Sequence, residues 1–184
     1  MSILLVGLAK DVIAPTITRL VAQDDEVRVI TPDGAEAEAA RKLGAHVALG
    51  PFDDVDLIER ACHNVRTLVF GDIALEPDNG EALVNGAVRA GVGRWIYCSE
   101  APRQPIVDEI KSTGSDYVVL ATPRQGLLRR PFDPGEIAEA VDAADDMVGH
   151  PELELNLKDP VAWQALKVFS RRNRPPGPTG RGLG

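Results

Sequence analysis

In VGLAKDVI, residues 6 to 13, an apolar run ends in Gly7 and a helix-like stretch begins within a few residues. A strand that hands over to a helix in this way aims the helix N-terminus at whatever anion binds there, because its first N–H groups lack partners and carry partial positive charge. Loops that cradle a pyrophosphate use glycine so that the backbone can come close. Gly7 is such a glycine. Lys10 and Ile13 stand where further glycines are usual. Lys10 could bind a phosphate or carboxylate itself, which would relocate the site. It could instead pair with Asp11 or Asp72, which would plug it. The plugged site is the expectation, with Ile13 pushing the helix outward or rotating into the ligand space.

Other reactive residue types are scattered. His46, His63 and His150 have no neighbour at a metal-ligand spacing, so no metal is expected. Asp53, Asp54 and Asp56 fall at a predicted helix start, where acids are favoured by the helix dipole. Neither a Gly-x-Ser-x-Gly elbow nor a Walker loop is present. Arg124, Arg129 and Arg130 follow the sixth predicted strand and could meet an anion, although a solvated basic loop explains them as well. Cys62 and Cys98, the only cysteines, read as buried free thiols in a reducing cytoplasm.

The elements that must position these residues alternate strand and helix. SILLVG, EVRVIT, AHVALG, VRTLVFG, GRWIYCS and DYVVLATP read as strands, with helices between them ending at glycines such as Gly44 and Gly91. Asp11 to Gln23 reads as the first helix, with Pro15 in about its first turn. ELELNL is a short edge strand, and a last helix begins near Asp159 as N-cap, with Pro160 at its first position. Helical crossovers of this kind are right-handed and give a parallel sheet covered on both faces. The fold class is therefore α/β, a doubly wound, mainly parallel, Rossmann-like sheet. One domain over residues 1–170 is followed by a disordered basic Pro/Gly tail, 171–184.

Three passages carry a family resemblance: GVGRWIYCSE, SDYVVLATP and KLGAHVALGPFDDVDLIERACHNVRTLVF. Over roughly residues 2 to 126 the chain resembles the atypical short-chain dehydrogenase/reductases, in particular the NmrA-like NAD(P)-binding proteins. The resemblance implies a phosphate loop Gly-x-x-Gly-x-x-Gly, of which this chain keeps Gly7 and replaces the others by Lys10 and Ile13. It implies a cofactor contact after the second strand, where Asp33 is the candidate and reads more simply as a turn residue. It implies a Gly-Asp turn after the third strand, where Gly50 is kept and Pro51 replaces the acid. Ser99 matches the serine ending the fifth strand and is the one weak catalytic candidate. The Tyr-x-x-x-Lys signature is absent, since Ala101 and Ala121 stand four residues after Tyr97 and Tyr117.

Composition narrows the function. A net charge of -8 argues against a nucleic-acid binder, and no apolar run approaches the ~18 residues of a membrane helix. The expectation is a cytoplasmic protein with a degenerate dinucleotide site and no bound cofactor, a pseudoenzyme that regulates or binds a partner. The expected partner is another protein or a second copy of the chain, the fourth helix offering a dimer surface through Leu83, Val84 and Val88. The alternative is an NAD(P)-dependent oxidoreductase or isomerase of the same group.

Overall fold

The computed structural model describes residues 2–76, 80–122, 133–146, 152–157, 159, 161, 162, 164 and 166. Seven strands form one sheet: β1 (Ser2–Val6), β2 (Glu26–Thr31), β3 (His46–Leu49), β4 (Thr67–Gly71), β5 (Arg94–Ser99), β6 (Asp116–Ala121) and β7 (Glu152–Asn156). Their order is β3-β2-β1-β4-β5-β6-β7, and every pairing is parallel. The helices are α1 (Lys10–Val21), α2 (Gly34–Lys42), α3 (Val55–Cys62), α4 (Gly80–Arg89), α5 (Gln104–Ser112) and α6 (Pro134–Asp145). The expected doubly wound sheet is thus the observed one. ELELNL is its edge strand, in register from Tyr117 opposite Glu152 to Ala121 opposite Asn156.

Strand side chains alternate between two cores, which is why β1 is apolar throughout. Ile3 and Leu5 join the core under α1, α2 and α6, while Leu4 and Val6 join the core under α3, α4 and α5. Cys98 lies in the first core and Cys62 in the second. Both are free thiols, and burial pushes each up to about 12.

Helix starts follow side-chain capping. Asp33 caps α2 by accepting from the N–H groups of Ala35 and Glu36, Asp54 caps α3 through Leu57, and Asp133 caps α6 through Gly135. Asp159 accepts from the Val161 N–H at 2.9 Å, as its predicted capping role requires. Two details differ from expectation. Helix α1 begins one residue early, so Pro15 lies in its second turn. Leu83 and Val84 of α4 are buried in the chain's own core, and of the expected docking face only Val88 is exposed.

The joint between α6 and the rest adds buried polar contacts to its apolar core. Arg19 of α1 donates to Asp142 at 2.7 Å. Asp145, 4% exposed, accepts from Arg66 and from the Thr67 hydroxyl. Arg94, 3% exposed, donates to the Ala144 carbonyl at 2.8 Å and lies 3.6 Å from the Asp116 carboxylate. Burial raises the Asp145 carboxyl above its usual range, against the pull of Thr67 and Arg66.

The 171–184 tail, most of the last predicted helix, Arg124, Arg129, Arg130 and His150 lie outside the described residues. Among the described residues no helix is long and apolar enough to cross a membrane.

Candidate functional site

Ligands of doubly wound sheets bind beyond the strand C-termini where strand order reverses. Here that point lies between β1 and β4. A cavity of about 190 Å3 opens there, walled by the turn after β1, the ends of β4, β5 and β6, and the start of α6.

Gly7 makes the exit from β1 with φ of +57°. A Cβ at Gly7 would stand 2.1 Å from the backbone nitrogen of Ala74, inside the short 3-10 turn Asp72–Leu75 that follows β4. The glycine is therefore required by contact with that turn, whatever binds in the cavity. No side chain caps α1, and Leu8, Ala9 and Asp11 of its entry line the cavity.

Lys10 and Ile13 do not line this cavity. The Lys10 ammonium lies 3.2 Å from the Asp33 carboxylate and not on Asp11 or Asp72. Ile13 is buried in the core beneath α1. Both residues border a second cavity, of about 230 Å3, between α1 and α2. The expected plug is corrected accordingly: these side chains turn toward α2, because β2 runs beside β1 and delivers Asp33 next to the first turn of α1.

Asp33 is a cap rather than a simple turn residue. The Glu36 N–H, Lys10 and the Ala35 N–H hold its carboxyl below the usual range. A lowered folded pKa means that this stability is present above the ordinary carboxylate range and disappears as pH falls through the lowered value. The gap in urea midpoint between the native chain and Asp33→Asn is expected to narrow progressively on acidification, and a gap constant with pH would count against this role.

Gly50 packs on α3: a Cβ there would lie 2.5 Å from Leu57 Cδ2, and its N–H donates to the Thr31 carbonyl at 3.1 Å. Pro51 is exposed. Neither reaches the strand-end cavity.

Ser99 does line it, and its hydroxyl is committed. It donates to Asp72 Oδ2 at 2.8 Å and accepts from the Ala101 N–H at 3.0 Å. Tyr97 donates to Asp72 Oδ1 at 2.8 Å, and its ring stacks on Phe70 with centroids 4.7 Å apart. Burial, and then the Asp72 carboxylate, hold the Tyr97 phenol above its usual value. The hub is Asp72, which the sequence marks only as an acid directly after a strand-ending Gly71.

Most of the described cavity wall is apolar, and its charged side chains are acidic. Asp11, Asp72 and Glu100 line it, and no Lys, Arg or His stands among its described lining residues. Among the described residues no group of three acidic, Cys or His side chains could hold a metal ion.

No family model matches the chain, and no curated protein matches it in sequence. Solved structures do match its fold. A triphenylmethane reductase from Citrobacter sp., complexed with NADP(H), superposes with a TM-score of 0.69 at 17% identity, over 85% of this chain and 70% of that one. An NADPH-dependent quinone oxidoreductase from Escherichia coli gives 0.68 at 16%, over 84% and 67%. A Bacillus halodurans protein assigned as an NAD-dependent epimerase/dehydratase gives 0.67 at 17%, over 93% and 99%. At these identities the likeness is one of fold, the doubly wound Rossmann-like α/β sheet that the sequence leads one to expect.

Proposed function

We propose that this chain uses the Rossmann scaffold without ordinary dinucleotide binding, as a non-catalytic regulator or partner-binding protein. The Asp72 carboxylate at the strand ends carries this reading. It lines the cavity, is held in place by the Tyr97 and Ser99 hydroxyls, and would stand against the like charge of a pyrophosphate placed at the α1 entry, which the site therefore does not favour. The contact expected of Asp33 with a ribose is spent on Lys10 and on capping α2. The absence of Tyr-x-x-x-Lys removes the usual proton donor, and the Ser99 and Tyr97 hydroxyls are both held by Asp72. A cytoplasmic setting fits the two buried free thiols.

A second reading, an NAD(P)-dependent oxidoreductase or isomerase, is favoured by the uncapped N-terminus of α1 beside the cavity and by the cofactors named for the neighbouring structures. Titration calorimetry with NADH and NADPH separates the two. No heat of binding at micromolar ligand is expected, and micromolar affinity for either would overturn the first reading in favour of the second.

A further inference from the structure

We propose that the free edge of β3 is an interface between two copies of this chain, pairing antiparallel with β3 of the second copy across a two-fold axis. The proposal goes beyond both readings of the strand-end cavity and depends on neither. It also replaces the dimer surface expected on α4, whose Leu83 and Val84 are spent in the chain's own core.

The sheet has two edges, β3 and β7. A free edge presents a row of unpaired N–H and C=O groups, and monomeric proteins guard it with charged side chains, proline or bulges. β7, with sequence ELELN, has such guards, and Glu154 is exposed and paired with Lys111. β3 is His46, Val47, Ala48 and Leu49, without Lys, Arg, Asp, Glu or Pro. Its last residue, Leu49, is apolar and 55% exposed.

Backbone direction fixes the register. In a parallel ladder the N–H and C=O of one residue point to the same side, and the side alternates along the strand. The Gly50 N–H points inward, to the Thr31 carbonyl at 3.1 Å. His46 and Ala48 therefore face β2 as well, and Val47 and Leu49 turn their N–H and C=O groups outward. Two residues that face each other in this way across an antiparallel pair exchange both hydrogen bonds. Val47 opposite Leu49 of the second copy, and Leu49 opposite its Val47, satisfy every outward group of the strand. The axis then passes between the two Ala48 residues, a non-hydrogen-bonded pair whose close spacing suits a small side chain. His46 faces Gly50, which has no side chain to crowd it. Beyond that, Pro51 has no N–H, and it faces Ala45, whose N–H already donates to the Ala40 carbonyl at 3.1 Å. Pairing ends there with no donor stranded.

Charge is complementary across the same axis. Helix α2 packs over β2 and β3 and runs from acid to base, with Glu36 and Glu38 in its first half and Arg41 and Lys42 at its end. Antiparallel pairing turns the acidic half of one α2 toward the basic end of the other. Asp53, just after β3, comes toward the Lys42 that precedes β3 in the second copy. Glu38, Arg41, Lys42 and Asp53 are exposed and have no ion-pair partner among the described residues. Parallel pairing would set like charges together.

The test is sedimentation velocity of the full chain over a range of concentrations, with cysteine cross-linking beside it. The native chain is expected to dimerise in the micromolar range. Leu49→Lys puts a charge on the bare edge and should raise the dissociation constant about tenfold or more, with the far-UV circular dichroism unchanged. Ala48→Cys should link two chains on mild oxidation, because the axis brings the Cα atoms to about 4.5 Å, inside the roughly 4.4–6.8 Å that a disulfide spans. Val88→Cys, at the exposed position of α4, is the control and should not link. Cys62 and Cys98 are buried and do not compete. The proposal is overturned by a chain that stays monomeric at millimolar concentration, by a dimer that Leu49→Lys leaves intact, or by Val88→Cys linking as readily as Ala48→Cys. If Ala48→Cys does not fold, Leu49→Lys, at an exposed side chain, decides alone.

Discussion

Gly7→Ala is expected to lose about 3 kcal/mol of unfolding free energy, read as a lower urea midpoint at unchanged slope. Two costs add. The left-handed backbone at φ +57° disfavours any side chain, by about 1 kcal/mol or somewhat more. The new methyl would also stand 2.1 Å from a backbone nitrogen in the turn after β4, which no rotamer change can relieve. Overpacking of that kind costs about 1–3 kcal/mol. Gly91 supplies the control, because it shares the positive φ, at +74°, but has nothing within 4 Å of an added Cβ. Gly91→Ala should therefore lose only the backbone share, about 1 kcal/mol. Equal losses at the two positions would mean that the close approach of the β1 and β4 turns does not matter.

Asp145→Ala is expected to lose a similar amount, about 3 kcal/mol, for a different reason. Its carboxylate is the shared acceptor of Arg66 and Thr67 and stands near the buried Arg94. Alanine strands these donors and removes the counter-charge beneath α6. Asp145→Asn should cost clearly less. It keeps an oxygen for the Thr67 hydroxyl and removes a charge whose burial is unfavourable, as the raised carboxyl pKa indicates. The same shift fixes the pH dependence of the native chain. The folded state holds this proton more tightly than the unfolded one, so the contribution is full below the ordinary carboxylate range and is lost as pH rises through the raised value. Urea midpoints of the two variants at neutral pH check the order, and an Asn variant weaker than the Ala variant would refute this account of the joint.

The strands are legible in the sequence because both faces of the sheet are covered, so each strand is a short continuous apolar run between turn residues. The helix starts at Asp54 and Asp159 are legible because capping is local chemistry. What is not legible depends on strand order. The partner of Lys10 lies 23 positions away and arrives only because β2 is the neighbour of β1. Asp72 reads as one acid among many until β4 and β5 lie side by side and set it between Tyr97 and Ser99. Ile13 looks like an obstruction in the loop, yet the helical turn carries it into the core. Arg94 sits inside an otherwise apolar strand, and its burial makes sense only once α6 has brought its carbonyl end overhead.

The polar joint of α6 also bears on the order in which the chain can assemble. The side of α1 that α6 covers is synthesised well before its cover, which comes from residues 134–145. Arg19 and Asp142 are 123 positions apart. Closing a loop of that length costs entropy before any contact repays it, and folds rich in such contacts form slowly. During synthesis one flank of α1 therefore waits, uncovered, until most of the sheet has emerged. Placing a charged group at that late joint has a kinetic merit: Arg19, left exposed in a waiting chain, stays hydrated, where one more apolar side chain would add to the surface that invites association with other chains.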